Sequence, residues 1–468
     1  MLNERHALID SVGGRTVIAS WEPSPLDPGK MVVVFQSQES FLLRYRNRPV
    51  LVEVPDRLGS RTVARRLGEF WLDHPARRQC RGVTFMPGGP KEVNGCLNLW
   101  QGWGVEDRAG DWSLIRQHIY EVVAGGNEEF DEYVVRWIAW SIQHPDRQAE
   151  AALVLIGFKG VGKGTLVRVL ERVFGAHAFQ VNSREAVVGQ FNGHLQDCIL
   201  FVADEAYWGG DKRCVGRLQG MITEPKLEIE RKGFDRVEVP NRLHVVMLAE
   251  PGWVIPAGRF ERRYAALEVS DCHRGDREYF KALHRQIEEG GAEGMFHDLK
   301  RMDLGGWHPR DIPEELLQSP ALQKQKVLTL PPLEQWYLGV LQDGELPGRR
   351  WPGYPSRAYT TDMVNDAKEK YPRLKLDLNE VSLGSFLENE VGCEHKRASI
   401  ANGWSFPPLA ECRARFEERY GPMKWSTAVE WASKERPKMV VPIPKLKPTV
   451  EAAQPVAPTV VPLIRRRI

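Results

Sequence analysis

The chain has 468 residues, 42% of them hydrophobic, with 64 Lys plus Arg against 62 Asp plus Glu. That length predicts two or three domains, and the near-balanced charge excludes a uniformly basic surface, so any polyanion contact must be a local patch. The seven cysteines form no C-x-x-C pair, no apolar run is long enough to span a bilayer, and Asn3, Glu4, Arg5 and His6 stand where a signal segment needs apolar residues; the expectation is a reducing cytoplasm with no zinc site and no membrane.

Residues 1–100 read as an accessory region. Val32-Val-Val-Phe35 and Val50-Leu-Val-Glu-Val54 predict strands, and Val63, Leu67, Phe70 and Trp71 predict one helix face. Arg61, Arg65 and Arg66 form a cluster that reads either as a nucleic-acid contact or as a solvated face. Asn98-Leu-Trp100 and Gly102-Trp-Gly104 predict a turn with packed aromatics. Residues 101–145 predict a helical collar: Leu114, Ile115, Ile119 and Val122 share a face, Ala124-Gly-Gly126 breaks the helix, and Tyr133 to Ile142 is apolar almost all round.

The stretch Leu153-Val-Leu-Ile-Gly-Phe-Lys-Gly-Val-Gly-Lys-Gly-Thr-Leu166 opens the next region. A short apolar strand, a glycine-rich turn, a lysine and a helix make a P-loop. Gly157, Gly160, Gly162, Lys163, Gly164 and Thr165 are the candidate nucleotide-binding residues. Glycines there let backbone N–H groups line an anion cradle at a helix N-terminus. Gly164 stands where a Ser or Thr normally offers a hydroxyl to magnesium, and Thr165 follows it. The Gly-Lys-Gly-Thr form suits nucleoside monophosphate kinases and a set of virus- and plasmid-encoded helicases.

A second apolar strand, Cys198 to Ala203, ends in Asp204-Glu205, a Walker B arrangement. Asp204 and Thr165 are candidate magnesium ligands, and Glu205 the candidate base for an attacking water. A base for water favours hydrolysis over phosphorylation of a second nucleotide. Leu227 to Val239 predicts a β-hairpin with Lys232 and an exposed Phe234 at its tip, suited to phosphates and bases of a single strand or to an ordinary surface turn. A third strand, His244 to Leu248, is followed by Ala249-Glu250 and by Arg262-Arg263, a cation pair of the kind that neutralises charge on a transferring phosphoryl group.

P-loop, Asp-Glu pair, basic hairpin, third strand and Arg-Arg cluster, in this order, resemble superfamily 3 helicases of the AAA+ class, nearest the helicase part of phage and plasmid primase–helicases. Phe191-Asn192, Trp253-Val-Ile-Pro256, Tyr279-Phe280 and Gly290-Gly291 add to the likeness, which covers roughly residues 95–330. The resemblance implies a homo-hexameric ring that hydrolyses ATP with Mg2+ at subunit interfaces and moves on single-stranded or forked DNA. The upstream residues show no primase site, neither paired carboxylates on strands nor a zinc ribbon, so the expectation for priming is a separate primase or polymerase as partner. Under the resemblance, Lys163 binds phosphate, Asp204 and Glu205 act at magnesium, Lys232 lies on a pore hairpin, and Arg262 or Arg263 acts in trans. One departure stands out: where the family carries a sensor asparagine, this chain has Ala249-Glu250.

The expected fold is α/β: an AAA+ P-loop NTPase core over 146–304, with a mostly helical N-terminal region and a C-terminal winged-helix-like domain over 351–436. Residues 305–350, rich in Pro, Gly and Trp, read as a linker. In the small domain Lys396 and Arg397 are candidate phosphate contacts on a hairpin wing. Residues 437–468, Pro- and Val-rich with a basic end, predict a disordered tail. The expected function is an ATP-dependent DNA helicase of phage or mobile-element replication. The alternatives are a non-unwinding AAA+ origin-binding scaffold and a P-loop nucleotide kinase.

Overall fold

The computed structural model describes residues 2–25, 31–56, 59–183, 189–204, 212–252, 262–348, 354–397 and 402–432. The N-terminal region is built of strands: β1 (His6–Val12), β2 (Arg15–Pro23), β3 (Met31–Gln36), then α1 (Gln38–Arg44), β4 (Pro49–Asp56), β5 (Gly59–Arg66), α2 (Leu67–Asp73) and four short strands, β6 to β9, between Gln79 and Asn98. The expectation of a mostly helical N-terminal region is therefore corrected. β-Branched runs such as Val32-Val-Val and Val50 to Val54 favour pleated pairing, and Val63 belongs to β5, with the helix starting only at Leu67.

The expected collar follows as α3 (Ser113–His118), a π-turn over Ile119–Val123, and α4 (Glu128–Gln143). Gly125 and Gly126 separate them in left-handed conformations, with φ of +63° and +77°. Trp100 stacks on His177 at 4.6 Å and Trp103 packs against Phe174 and Phe296, so the aromatic turn pins the collar to the next region.

That region holds β10 (Ala152–Ile156), α5 (Lys163–Phe174), β11 (Ala178–Val181), β12 (Leu200–Asp204), α6 (Lys212–Thr223), β13 (Lys226–Ile229), β14 (Val237–Pro240), β15 (His244–Ala249), β16 (Tyr264–Glu268), α7 (Arg277–Gln286) and α8 (Ala292–Arg301). Five strands form one parallel sheet in the order β11-β12-β15-β10-β16. Their residues alternate between two cores. Leu153, Leu155, Val202, Val246 and Leu267 pack with α4, α5 and α8 on one face. Val154, Phe201, Ala203, Val245 and Met247 pack with α6 and the base of the β13–β14 hairpin on the other. A parallel sheet covered on both faces explains why these strands read as continuous apolar runs.

Residues 305–350 are not only a connection. Pro320 and Pro332 stand at the first turns of α9 (Pro320–Thr329) and α10 (Pro332–Asp343). Proline there starts a helix rather than breaking one, because the missing N–H has no intrahelical partner. Ala321 and Leu322 of α9 join the core under the parallel sheet, while Trp336, Leu338 and Leu341 of α10 enter a separate C-terminal core. That core also takes β17 (Arg357–Tyr359), α11 (Thr360–Lys370), α12 (Glu380–Phe386), β19 (Asn402–Ser405) and α13 (Leu409–Tyr420), and β18 (Glu394–Arg397) pairs onto β19, the three strands being antiparallel in the order β17-β19-β18. The expected basic tail lies outside the described residues. Among the described residues no helix is long and apolar enough to cross a membrane.

Candidate nucleotide and nucleic-acid sites

The P-loop lies at the carboxyl edge of the parallel sheet, where α/β folds bind ligands. β10 ends at Ile156, the turn runs through Gly157 to Gly162, and α5 starts at Lys163. Gly160 and Gly162 have φ of +78° and +110°, which side-chain-bearing residues rarely adopt. The Lys163 ammonium donates to the carbonyls of Gly157 and, at 3.0 Å, Phe158, so its charge sits inside the loop. Thr165 is buried in the first turn of α5. At Gly164 a Cβ would meet nothing within 4 Å, so the missing hydroxyl is not a steric demand.

Sequence reading missed the residue that holds this turn. His118, at the end of α3, lies under Gly162 and is only 2% exposed. Its Nε2 is 3.1 Å from the Gly162 carbonyl and its Nδ1 is 3.0 Å from the Tyr279 hydroxyl. A carbonyl only accepts, so Nε2 carries the proton and Nδ1 accepts from the phenol. Burial lowers the His118 pKa to about 4, so the ring is neutral. Tyr279 stacks on His273 at 3.8 Å, and His273 bonds Glu121 at 2.9 Å. This network ties the collar, the P-loop and α7 together. Its trace in the sequence was the adjacent pair Tyr279-Phe280, which gives no partner for either ring.

Beside the loop opens a cleft of about 850 Å³, with Lys159 and Gly160 on one lip and Arg274, Arg277, Phe280, Lys281 and Arg285 on the other. Arg277, Lys281 and Arg285 recur every four residues, one face of α7, a spacing visible in the sequence but unused. Arg274 lies over the Phe158 ring at 5.5 Å, joining the two lips. Among the described residues Asp276 and Glu288 are the only acids lining this cleft, whose described lining is therefore mostly cationic with an aromatic wall.

Asp204 ends β12 at the same carboxyl edge, and Gln180 donates to its Oδ2 at 2.8 Å, fixing the carboxylate. Asp204 is level with Leu248, and Ile156 with Ala249, so Glu250 emerges between the P-loop and Asp204. There its Oε1 lies 3.9 Å from Lys159 Nζ. The candidate base Glu205 lies outside the described residues, as does Trp253 to Pro256. Carboxylate and hydroxyl oxygens of Asp204 and Thr165 are the hard donors magnesium takes. Among the described residues no cluster of three or more His, Cys, Asp or Glu makes a protein-only metal cage.

Arg262 and Arg263 are elsewhere. The Arg263 carbonyl accepts from Ala152 N at 2.7 Å, which places the pair at the amino edge of β10 and β16. Four residues of strand, about 13 Å, separate that edge from the P-loop. Arg262 is exposed.

The predicted hairpin forms as β13–β14. Buried Asn192 braces it, donating to Glu228 O at 2.7 Å and accepting from Glu230 N at 2.8 Å. Lys232 is exposed at the tip, as expected, but Phe234 is half-buried. It lies under Arg15, 5.9 Å from guanidinium carbon to ring centre, and Asp235 N donates to Gly13 O at 3.0 Å. The β1–β2 turn thus covers the ring that was expected to be exposed, because an apolar side chain on a tip within reach of a sheet is buried rather than solvated. Of the C-terminal candidates, Arg397 is exposed and Lys396 pairs with Glu394 at 2.7 Å. Helix α12 and the π-turn after it, residues 380–391, carry Glu380, Glu388 and Glu390 and no cation.

A family model for a family of unknown function, DUF5906, matches residues 155–263. The DNA primase-polymerase of Nitratiruptor phage NrS-1 is 24% identical over 164 residues, 34% of this chain and 23% of that protein. The chain thus aligns with about a quarter of that relative's length. Two apo structures of the NrS-1 C-terminal region share the fold, one with a TM-score of 0.56 at 14% identity, covering 87% of this chain and 97% of that one. The other gives 0.55 at 14% identity, with 86% and 95% covered.

Proposed function

We propose that this chain is an ATP-hydrolysing DNA helicase of phage or mobile-element replication, with a superfamily 3 AAA+ core and a C-terminal winged-helix-like module. One observation carries the reading: Lys163, Asp204 and Glu250 emerge side by side at the carboxyl edge of a parallel sheet whose central strand, β15, separates the P-loop strand from the acid-ended strand. The NrS-1 likeness supports a role in phage replication. ATP would place its phosphates on the P-loop amides and Lys163, and its base and sugar in the cationic cleft against Phe280. Magnesium, held by Asp204 and Thr165, would supply charge neutralisation on those phosphates.

The ring is part of this reading. Arg262 and Arg263 stand too far from their own P-loop to touch its nucleotide, so their use as fingers requires a neighbouring subunit. Arg262→Ala and Glu205→Gln proteins should each be nearly inactive, and mixing them should restore part of the activity. Unwinding of a forked substrate with ATP tests the whole reading; a protein that hydrolyses ATP but never separates strands would overturn it.

The Glu250–Lys159 pair favours a second reading, a scaffold ATPase with weakened turnover. A carboxylate at that place accepts hydrogen bonds but offers none to a phosphate or water. ATP and DNA binding without turnover would decide for it.

A further inference from the structure

The β4–β5 hairpin has no part in the nucleotide site or in a core. Its strands pair antiparallel from Pro49–Arg66 at the base to Asp56–Gly59 at the tip. Eight extended residues span about 27 Å. A lone two-stranded hairpin is marginal in water, and no described side chain of this one is buried or joins a hydrophobic cluster. Its anchorage is at the base, where Leu67 N donates to Arg48 O at 2.9 Å and α2 packs.

Register sorts its faces. Val50 pairs with Arg65, Val52 with Val63 and Val54 with Arg61. Directly opposed residues share a face, so one face carries four half-exposed valines with an arginine at each end. The stretch from residue 44 to 66 holds seven arginines, two acids (Glu53 and Asp56) and no lysine, in a chain whose total charge is nearly balanced. Arg65 meets Asp73 at 3.8 Å and Arg66 meets Glu69 at 3.1 Å, both on the surface. Such exposed pairs contribute little and yield readily to a denser anion.

An arginine-only excess points to phosphate, which guanidinium grips with paired donors where ammonium offers a point charge. The shape points to a duplex: the major groove of B-form DNA admits a two-stranded ribbon, and thymine methyls give valine an apolar partner there. A-form RNA has a major groove too narrow for it. We infer that the β4–β5 ribbon is a duplex-DNA contact, with Arg61 and Arg65 on backbone phosphates and the valine face toward the groove floor. This goes beyond the proposed motor and does not depend on nucleotide hydrolysis.

Fluorescence anisotropy of the full chain, titrated against labelled DNA duplex, RNA duplex and single-stranded DNA over a range of salt, tests it. Arg61→Glu/Arg65→Glu should weaken duplex DNA about tenfold at physiological salt and shrink its log–log salt slope by about two units. Single-strand affinity should change by less than about threefold, and wild type should prefer the DNA duplex to the RNA duplex. Unchanged duplex affinity and slope in a variant that melts normally overturns the assignment. So does a changed oligomeric mass with duplex binding intact, which would make the ribbon a contact between copies. If the charge reversal does not fold, photocrosslinking of wild type to an iodouracil-labelled duplex decides: label on peptides from 44–66 supports the contact, and its absence from them rejects it.

Discussion

His118 donates its Nε2 proton to the backbone carbonyl of Gly162, 3.1 Å away, at the residue that caps the P-loop helix. The contact is tight from both sides: a Cβ on Gly162 would stand 2.5 Å from His118 Cε1, at a φ of +110°. Gly162→Ala is therefore expected to lose nucleotide binding, through strain and through displacement of the imidazole. His118→Ala should cost about 1–3 kcal/mol of stability, since it leaves the carbonyl and the Tyr279 hydroxyl without that partner. Thermal melts and titration with a fluorescent ATP analogue check both. Wild-type affinity in Gly162→Ala would contradict the site as described.

The buried histidines set an acid limit on stability. Burial lowers the pKa of His118 and His6 to about 4 and of His244 to about 3, below the value near 6.5 of the unfolded chain. Between those values the unfolded state binds more protons, so their contribution is complete above about pH 6.5 and declines as pH falls toward 4. Each ring costs about 1–2 kcal/mol at pH 5. Melting should fall by on the order of 5 °C or more from pH 7.5 to 5; a flat profile would show that these rings are not buried neutral.

Glu250 pairs with Lys159 on the loop, and under the proposed function it stands where an amide would serve hydrolysis better. Glu250→Asn is expected to raise ATP turnover several-fold by adding a donor and releasing Lys159. Steady-state hydrolysis at saturating ATP reads this. A fall to background would mean that the carboxylate itself takes part.

The hairpin tip divides two jobs that looked like one. Lys232→Ala should weaken single-strand binding and reduce its salt slope by about one unit per contact. Phe234→Ala should instead loosen the β1–β2 turn, read as faster proteolytic cleavage near Gly13 and Gly14. Equal loss of DNA affinity with unchanged proteolysis would return Phe234 to the nucleic-acid surface.

The central sheet was legible because its strands are short apolar runs at the right distance from glycines and acids: Leu153 to Ile156, Cys198 to Ala203 and His244 to Leu248 lie within or beside β10, β12 and β15. Local pattern also gave the hairpin and the break at Gly125-Gly126. What it did not give depends on distant pairing. His118 meets Gly162 across 44 positions, and Phe234 meets Arg15 across nearly half of the chain, neither marked by spacing. Prolines 320 and 332 misled because the same residue ends one helix and begins another, and only the burial of Trp336 and Leu322 shows which.

The most direct measurement is ATP hydrolysis by the full chain, with and without single-stranded DNA, for wild type and Lys163→Ala. The account predicts magnesium-dependent hydrolysis that rises when single-stranded DNA is added and is lost in Lys163→Ala. Hydrolysis that ignores DNA, or that survives in Lys163→Ala, would contradict it.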